Sequence, residues 1–275
     1  MSKFNNSRVL ITGGASGIGK IMGRKALERG AAELIIWDIN KESLAAVADE
    51  FKDLGQVVTC QIDITKFAEV ERAYNEMIAD DNAATPDILI NCAGIVTGNR
   101  LFHEQSRREI DKTMEVNAMA PMYIAHLCLP SMVARRSGHI CNIASAAGLV
   151  SNPRMSVYAA SKWAVVGWSD SVRVEMQEEQ TGVHITTVAP YYISTGMFDG
   201  VRSRILPILK PEKTAEKIIR AIECNNDFLT MPLGYHFIRF WQGVLPTPVF
   251  DFIFGKIFGI YSTMDNFTGR NGKKE

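Results

Sequence analysis

Arg8-Val9-Leu10-Ile11-Thr12-Gly13-Gly14-Ala15-Ser16-Gly17-Ile18-Gly19 is the stretch that decides the fold of this chain. Its first five residues are β-branched or aliphatic enough for a buried strand, and a helical pattern follows Gly19. Between them, glycines permit a tight turn, a close approach of backbone to a pyrophosphate, and close helix–strand packing. The N–H groups at the start of the following helix then face the phosphates. A glycine turn alone only reverses a chain; one set between a strand and a helix predicts a dinucleotide-binding βαβ unit. The predicted cradle is Gly13, Ser16, Gly17, Ile18 and Gly19.

Working outward, strand-like runs recur at Glu33 to Asp38, Val57 to Gln61, Asp87 to Asn91, His139 to Ala144, His184 to Ala189 and Phe228 to Met231. Amphipathic stretches lie between them, among them Glu42 to Leu54, Lys66 to Ala79 and Ser156 to Gln180. Near-continuous apolar strands alternating with helices predict an α/β fold, a mostly seven-stranded parallel sheet doubly wound with helices on both faces. No repeat or long linker divides the 275 residues, so one domain is expected. Residues 191–210 are expected to form a substrate loop, and 232–275 an aromatic C-terminal extension of the same domain.

Thirty basic residues balance thirty acidic ones, which gives no overall field for nucleic acid. The five cysteines, Cys60, Cys92, Cys128, Cys141 and Cys224, are scattered and odd in number. That suits a reducing compartment and no zinc site. His103, His126, His139, His184 and His236 have no metal-like spacing either; His126 and His139 are expected to serve packing. With no signal-like leader before Arg8 and no uninterrupted apolar run of about 18 residues, a cytoplasmic setting is expected.

Asp38 closes the second strand about 20 residues after the glycine turn, where an acid meets the adenosine ribose. Its carboxylate accepts from a 2′-OH and repels a 2′-phosphate, and Ser16 brings no compensating cation; NAD is therefore expected over NADP. Further on, Tyr158 and Lys162 stand four apart, on one face of a helix candidate. A neighbouring ammonium, with a positive nicotinamide added, is expected to lower the phenol's pKa from its usual value near 10 toward that of a working base. Ser145 lies thirteen residues before Tyr158, just past a strand's carboxyl end, the edge on which open α/β sheets bind ligands. Its hydroxyl could donate to a reacting oxygen. Asn91-Cys92-Ala93-Gly94 follows another strand on that edge, and Asn117 sits in a long helical pattern one turn before Pro121. A buried asparagine needs partners, and a proline can free a helical carbonyl.

This set resembles the short-chain dehydrogenase/reductase family over roughly the first 200 residues, in motif order and in spacing. The resemblance implies a Rossmann-type fold with Tyr158 as general acid/base, Ser145 polarising the reacting oxygen and Lys162 on the nicotinamide ribose. It also implies that Asn117 holds a water leading to solvent, and that Asp63 and Ile64 lie at the adenine. Asn91 would steady the central strand, and Asn91, Ala93, Gly94, Pro190, Ile193 and Thr195 would complete the cofactor site. Family members associate through the helices bearing Asn117 and Tyr158, which implies a homodimer or homotetramer; Trp163 and Trp168 are expected to pack on the sheet or a partner there. The chain departs from the family where Pro190-Tyr191 replaces the usual Pro-Gly, which puts the loop's backbone shape in doubt and brings an aromatic toward the nicotinamide.

Pro190 to Phe198, with Met231-Pro232 and the aromatic tail, are similar to the branch containing retinol dehydrogenases and some 17β-hydroxysteroid dehydrogenases. That resemblance implies a hydrophobic alcohol, retinol-like or steroid-like, and its carbonyl. Aromatic and aliphatic side chains independently suit an apolar pocket, and equally the closing of the core or of a subunit interface. Other readings are a fatty-acyl or polyketide carbonyl reductase of the same family, and a non-catalytic NAD(H)-binding sensor. Membrane-bound members carry an apolar N-terminal segment that is not seen before Arg8, so membrane contact is expected to be peripheral, through the C-terminal aromatics.

Overall fold

Seven strands form one sheet in the computed structural model, which describes residues 2–79, 85–97, 99–203, 206–265 and 267–269. They are β1 (Arg8–Thr12), β2 (Glu33–Asp38), β3 (Gln56–Gln61), β4 (Ile88–Asn91), β5 (Gly138–Ile143), β6 (Val183–Pro190) and β7 (Phe228–Met231). Each lies within two residues of the run that predicts it. The order is β3-β2-β1-β4-β5-β6-β7, and every pairing is parallel. The order reverses between β1 and β4, which opens a crevice at the strands' carboxyl ends.

Both faces of the central strands are apolar, so their alternating side chains enter two cores. Val9, Ile11, Leu34, Ile36, Ile88 and Ile90 pack with α1 (Gly17–Glu28), α2 (Lys41–Phe51) and α7 (Pro211–Glu223). Leu10, Ile35, Trp37 and Leu89 point the other way, into a core shared with α3 (Phe67–Ile78) and α5 (Ala120–Ala134). The outer strand β3 departs from that apolar pattern, with Gln56, Val58, Thr59 and Gln61 exposed. α6 (Ser156–Glu178) covers the β5–β6 side; there Trp168 packs into the core while Trp163 is exposed.

Residues Arg107–Ala134 form one helical run: α4 (Arg107–Met114), a widened π turn at Glu115–Met119, then α5. By length and composition this run could cross a membrane, a feature that counting uninterrupted apolar residues does not find. It packs against α3, α6 and β5, and half of its apolar window is buried in the fold, as in a core helix. His126 is exposed on α5, not packed as expected. His139 on β5 is buried, with its ring nitrogens 2.8 Å from the Ser2 and Thr186 hydroxyls, and burial pushes its pKa down to about 3.

After β7 the chain continues through short helical pieces, including α8 (Ile238–Val244) and α9 (Thr247–Phe250). Tyr235, Ile238, Phe250, Ile260 and Met264 of this extension join Tyr158, Tyr191 and Tyr192 in a third core at the sheet's carboxyl edge. Residues 204–205 of the expected loop, and 266 and 270–275 of the extension, lie outside the described residues.

Candidate active site

A cleft of about 310 Å³ opens at the carboxyl edge, and almost every predicted site residue lines it. Gly13, Ser16, Gly17, Ile18 and Gly19 stand at one end, with Asp38, Asp63 and Ile64 beside them. Ala93, Gly94, Ser145, Tyr158, Lys162, Pro190, Ile193 and Thr195 complete the walls.

The glycine turn is built for close approach. Gly13 has φ +67°, and a Cβ there would fall 2.7 Å from Ala93 Cα. A Cβ on Gly19 would fall 2.3 Å from the Gly13 carbonyl oxygen. α1 starts from Ser16 with no side-chain cap and no acid in its first turn, so its leading N–H groups remain available to an anion. Asp38 braces this turn as well as closing β2: its carboxylate accepts from Ala15 N–H at 3.2 Å and from Asn40 N–H at 3.1 Å. Thr12 Oγ1 accepts from the N–H groups of Cys92 and Ala93 at 3.1 and 3.3 Å, joining the loops after β1 and β4. These features fit a dinucleotide. Glycines keep the turn open at Gly13 and Gly19, the uncapped start of α1 adjoins it, and an acid stands at the ribose end.

At the other end, β5 delivers Ser145, and the first two turns of α6 deliver Tyr158 and Lys162. Tyr158 is buried with its ring edge-on to Phe198, and it lies beside the Ser145 side chain. Burial pushes the phenol's pKa well up, and the nearby Ser145 hydroxyl only partly opposes this. The expected lowering is therefore absent from the protein's own groups, because desolvation of a phenolate outweighs one hydroxyl donor. Lys162 Nζ donates to the Ile143 carbonyl at 2.9 Å and lies 5.8 Å from the Tyr158 ring centroid. Burial brings its pKa down to about 8, with the Cys92 side chain opposing the fall.

Two predicted residues do not line the cleft. Asn91 is buried and donates to Asn142 Oδ1 at 2.9 Å, across to β5, so its side chain binds sheet and not cofactor space. Asn117 lies in the π turn; its amide donates to the Ile95 carbonyl at 2.9 Å and accepts from Ile95 N–H at 2.8 Å. It also donates to Ser161 Oγ at 3.1 Å. Both ends of this amide are engaged, which holds the strip after Gly94 against α6.

The Tyr191 position does not demand a glycine, since its φ is not positive. The ring is buried against Tyr192, 4.6 Å between centroids, and its hydroxyl donates to Ser203 at 3.0 Å. Cleft residues not singled out from the sequence include Trp37, Ile39, Thr65, Cys92, Lys112 and Met197. Thr65 follows Asp63 and bonds to its carboxylate at 2.7 Å, a pairing that the Asp63-Ile64-Thr65 turn already hints at. Lys112, on α4, had no sequence signal, because only the tertiary fold carries it to the cleft.

Comparison with known proteins agrees with this geometry. The family model described as short chain dehydrogenase matches residues 7–205. Epidermal retinol dehydrogenase 2 of Mus musculus is 34% identical over 273 residues, covering 96% of this chain and 86% of its own. Estradiol 17-beta-dehydrogenase 11 of Pongo abelii is 32% identical over 240 residues, covering 86% of this chain and 79% of its own. A short chain dehydrogenase/reductase from Burkholderia phymatum, solved in complex with NAD, shares the fold with a TM-score of 0.78 at 23% identity, over 88% of this chain and 95% of that one. Family members use NAD(P). The chain thus belongs to the short chain dehydrogenase family, in the branch of the retinol and 17β-hydroxysteroid dehydrogenases, and is an oxidoreductase of alcohols and ketones.

Proposed function

We propose that this chain is an NAD-dependent dehydrogenase that interconverts a hydrophobic alcohol, retinol-like or steroid-like, and its carbonyl, with Tyr158 as general acid/base. One observation carries the reading: Ser145, Tyr158 and Lys162 line the same cleft as the glycine cradle and Asp38.

When bound, the dinucleotide supplies a pyridine ring that takes up or returns hydride. The backbone of Gly13 to Gly19 holds its pyrophosphate, Asp38 its adenosine ribose, and Asp63 and Ile64 its adenine. Ile193 and Thr195 hold the carboxamide and phosphate, and the Lys162 ammonium the second ribose. In alcohol oxidation Tyr158 Oη removes the hydroxyl proton, and in reduction it returns one. Ser145 Oγ donates to the reacting oxygen as charge changes there. Because burial disfavours the phenolate, a positive charge beside the ring must offset that cost, and Lys162 is the nearest cation. Asn117's amide is already engaged, so a water relaying protons from Lys162 binds its carbonyl, whose α-helical donor position is occupied by Pro121, which has no N–H.

The aromatic extension supports an apolar substrate, since it packs against Tyr158, Tyr191 and Tyr192 behind the cleft wall. It also bears a row of outward apolar side chains, including Phe240, Val244 and Phe252, each more than half exposed, near Arg239 and Lys256. This face docks peripherally on lipid, from which such a substrate is collected. The exposed Trp163 of α6 and Met119 before α5 support a homodimer or homotetramer through these helices.

The test is NADH production from long-chain alcohols, retinol and steroids by wild type and by Tyr158→Phe. The Phe variant keeps the ring packing and loses the proton-transfer group, so kcat is expected to fall about 10²–10⁴-fold with NADH affinity retained. Unchanged turnover removes Tyr158 from the mechanism. Absence of any turnover beside tight NADH binding favours a sensor.

A further inference from the structure

Two adjacent phenols follow the carboxyl end of β6 and end on different partners. Tyr192 Oη accepts from Asn152 Nδ2 at 2.9 Å and contacts Thr263 Oγ1 at 3.0 Å, which ties it to the stretch before α6 and to the C-terminal extension. Tyr191 Oη instead donates to Ser203 Oγ at 3.0 Å, within the expected substrate loop. Tyr191 is itself well anchored. Its N–H donates to the Met231 carbonyl on β7 at 2.8 Å, and its buried ring packs on Tyr192 and Tyr235, 4.6 and 5.7 Å between centroids. A ring held this way has little side-chain freedom left to lose, so its hydroxyl stands at a fixed reach from the sheet.

Between Tyr191 and Ser203 the chain carries Met197 and Phe198, and both line the main cleft. Phe198 stands edge-on to Tyr158 and to Tyr192, with centroids 6.0 and 5.0 Å away. The base of the loop is closed by Ser194 N–H on the Leu209 carbonyl at 3.1 Å and Leu209 N–H on the Tyr192 carbonyl at 2.8 Å. Further out, Arg202 N–H donates to the Thr263 carbonyl at 3.3 Å, and the Asp199 carbonyl accepts from Thr268 and Gly269 N–H at 2.9 and 3.2 Å. Those outer bonds all go to the extension. The Tyr191–Ser203 bond ties the loop to the end of the sheet.

We propose that Tyr191 is a positioning residue for the reaction: its hydroxyl pins Ser203, and so fixes Met197 and Phe198 as the wall against which the substrate's apolar body lies beside Tyr158. This rests on the dehydrogenase reading above and adds a residue to it. Glycine, the residue that Tyr191 replaces in the Pro-Gly pair, has no hydroxyl to give, so the pin belongs to this sequence in particular. A wall that contacts the substrate's body contributes to binding before and during hydride transfer alike, and its loss is read in KM. One hydrogen bond between neutral hydroxyls shifts an equilibrium about 3- to 10-fold.

The experiment compares wild type, Tyr191→Phe, Ser203→Ala and the double variant, with melting curves as the fold check. Steady-state oxidation of decan-1-ol with NAD is measured beside amide hydrogen exchange of residues 196–203. In either single variant the Val201 and Arg202 N–H groups, which bond to the Phe198 and Thr263 carbonyls, should exchange about 3- to 10-fold faster. Over the same range, about 3- to 10-fold, kcat/KM should fall, with the larger share in KM. The double variant should be no worse than either single one, because the two hydroxyls make one bond. Unchanged exchange and KM in both singles, or losses that add in the double, overturn the pin, while wild-type turnover keeps the dehydrogenase reading. A fall confined to kcat overturns the positioning role. Absence of wild-type turnover removes that reading and this role together. Should Tyr191→Phe fail to fold, Ser203→Ala decides, since Ser203 is half-buried and loses one hydroxyl alone.

Discussion

Lys162 Nζ donates to the Ile143 carbonyl oxygen at 2.9 Å, from a side chain that is almost wholly withdrawn from water. Its ammonium is thus held by β5's last residue and points into the cleft without resting on Tyr158. Burial lowers the Lys162 pKa from 10.5 to about 8. Below pH 8 both folded and unfolded chains carry this proton, and the cost of burying the charge is fully present. Between pH 8 and 10.5 the unfolded chain binds more protons, so the cost is relieved as pH rises. Relative to Lys162→Met, the wild type should gain about 2 kcal/mol between pH 7 and pH 9.5. Urea unfolding of both proteins at the two pH values checks this; a constant difference would refute it.

Asp38 carries two tasks that one substitution can separate. Asp38→Asn keeps an acceptor for the Ala15 N–H, which the carboxylate holds at 3.2 Å, but removes the charge that repels a 2′-phosphate. The NAD-over-NADP ratio in kcat/KM should fall at least about tenfold, with little change in Tm. Equal use of both cofactors by the wild type would end this role for Asp38.

Gly19→Ala tests the cradle by shape alone. Its Cβ would stand 2.3 Å from Gly13 O and 3.1 Å from Gly14 Cα, against backbone that cannot give way like a side-chain tip. A loss of about 1–3 kcal/mol follows from such overpacking, together with weaker NADH binding. Calorimetric melting and NADH fluorescence titration read the two effects.

The lipid-docking face predicts a separable phenotype. Phe240→Ser with Phe252→Ser removes rings that are 59% and 55% exposed, so folding should barely change. Partition onto anionic vesicles, read by co-flotation, should drop at least about tenfold. Turnover of a water-soluble alcohol should persist. Equal flotation of both proteins would assign these rings elsewhere.

The sheet was legible because parallel strands covered on both faces read as apolar runs, and each of the seven predicted runs became a strand. The glycine turn and the Ser145–Tyr158–Lys162 set were legible because a few residues of fixed type and spacing carry them. Contacts between distant segments were not. Nothing near Asn152 signals that Tyr192 and Thr263 will share its hydrogen bonds. Asn91 falls on the expected edge, but its side chain turns toward Asn142, a choice made by packing around β5. The upward pull on the Tyr158 phenol likewise depends on burial, which a four-residue spacing does not express.

The Asn152–Tyr192–Thr263 hydrogen bonds cross from the stretch before α6 to the chain's last helical turns. The reactive trio is thus mounted on the end of β5 and the start of α6, while the packing behind Tyr191 and Tyr192 leans on a segment that contributes no strand. Evolution can rewrite that segment and retune what is accepted without disturbing the chemistry. A graft of residues 232–269 between related enzymes is therefore a natural way to exchange their substrate ranges.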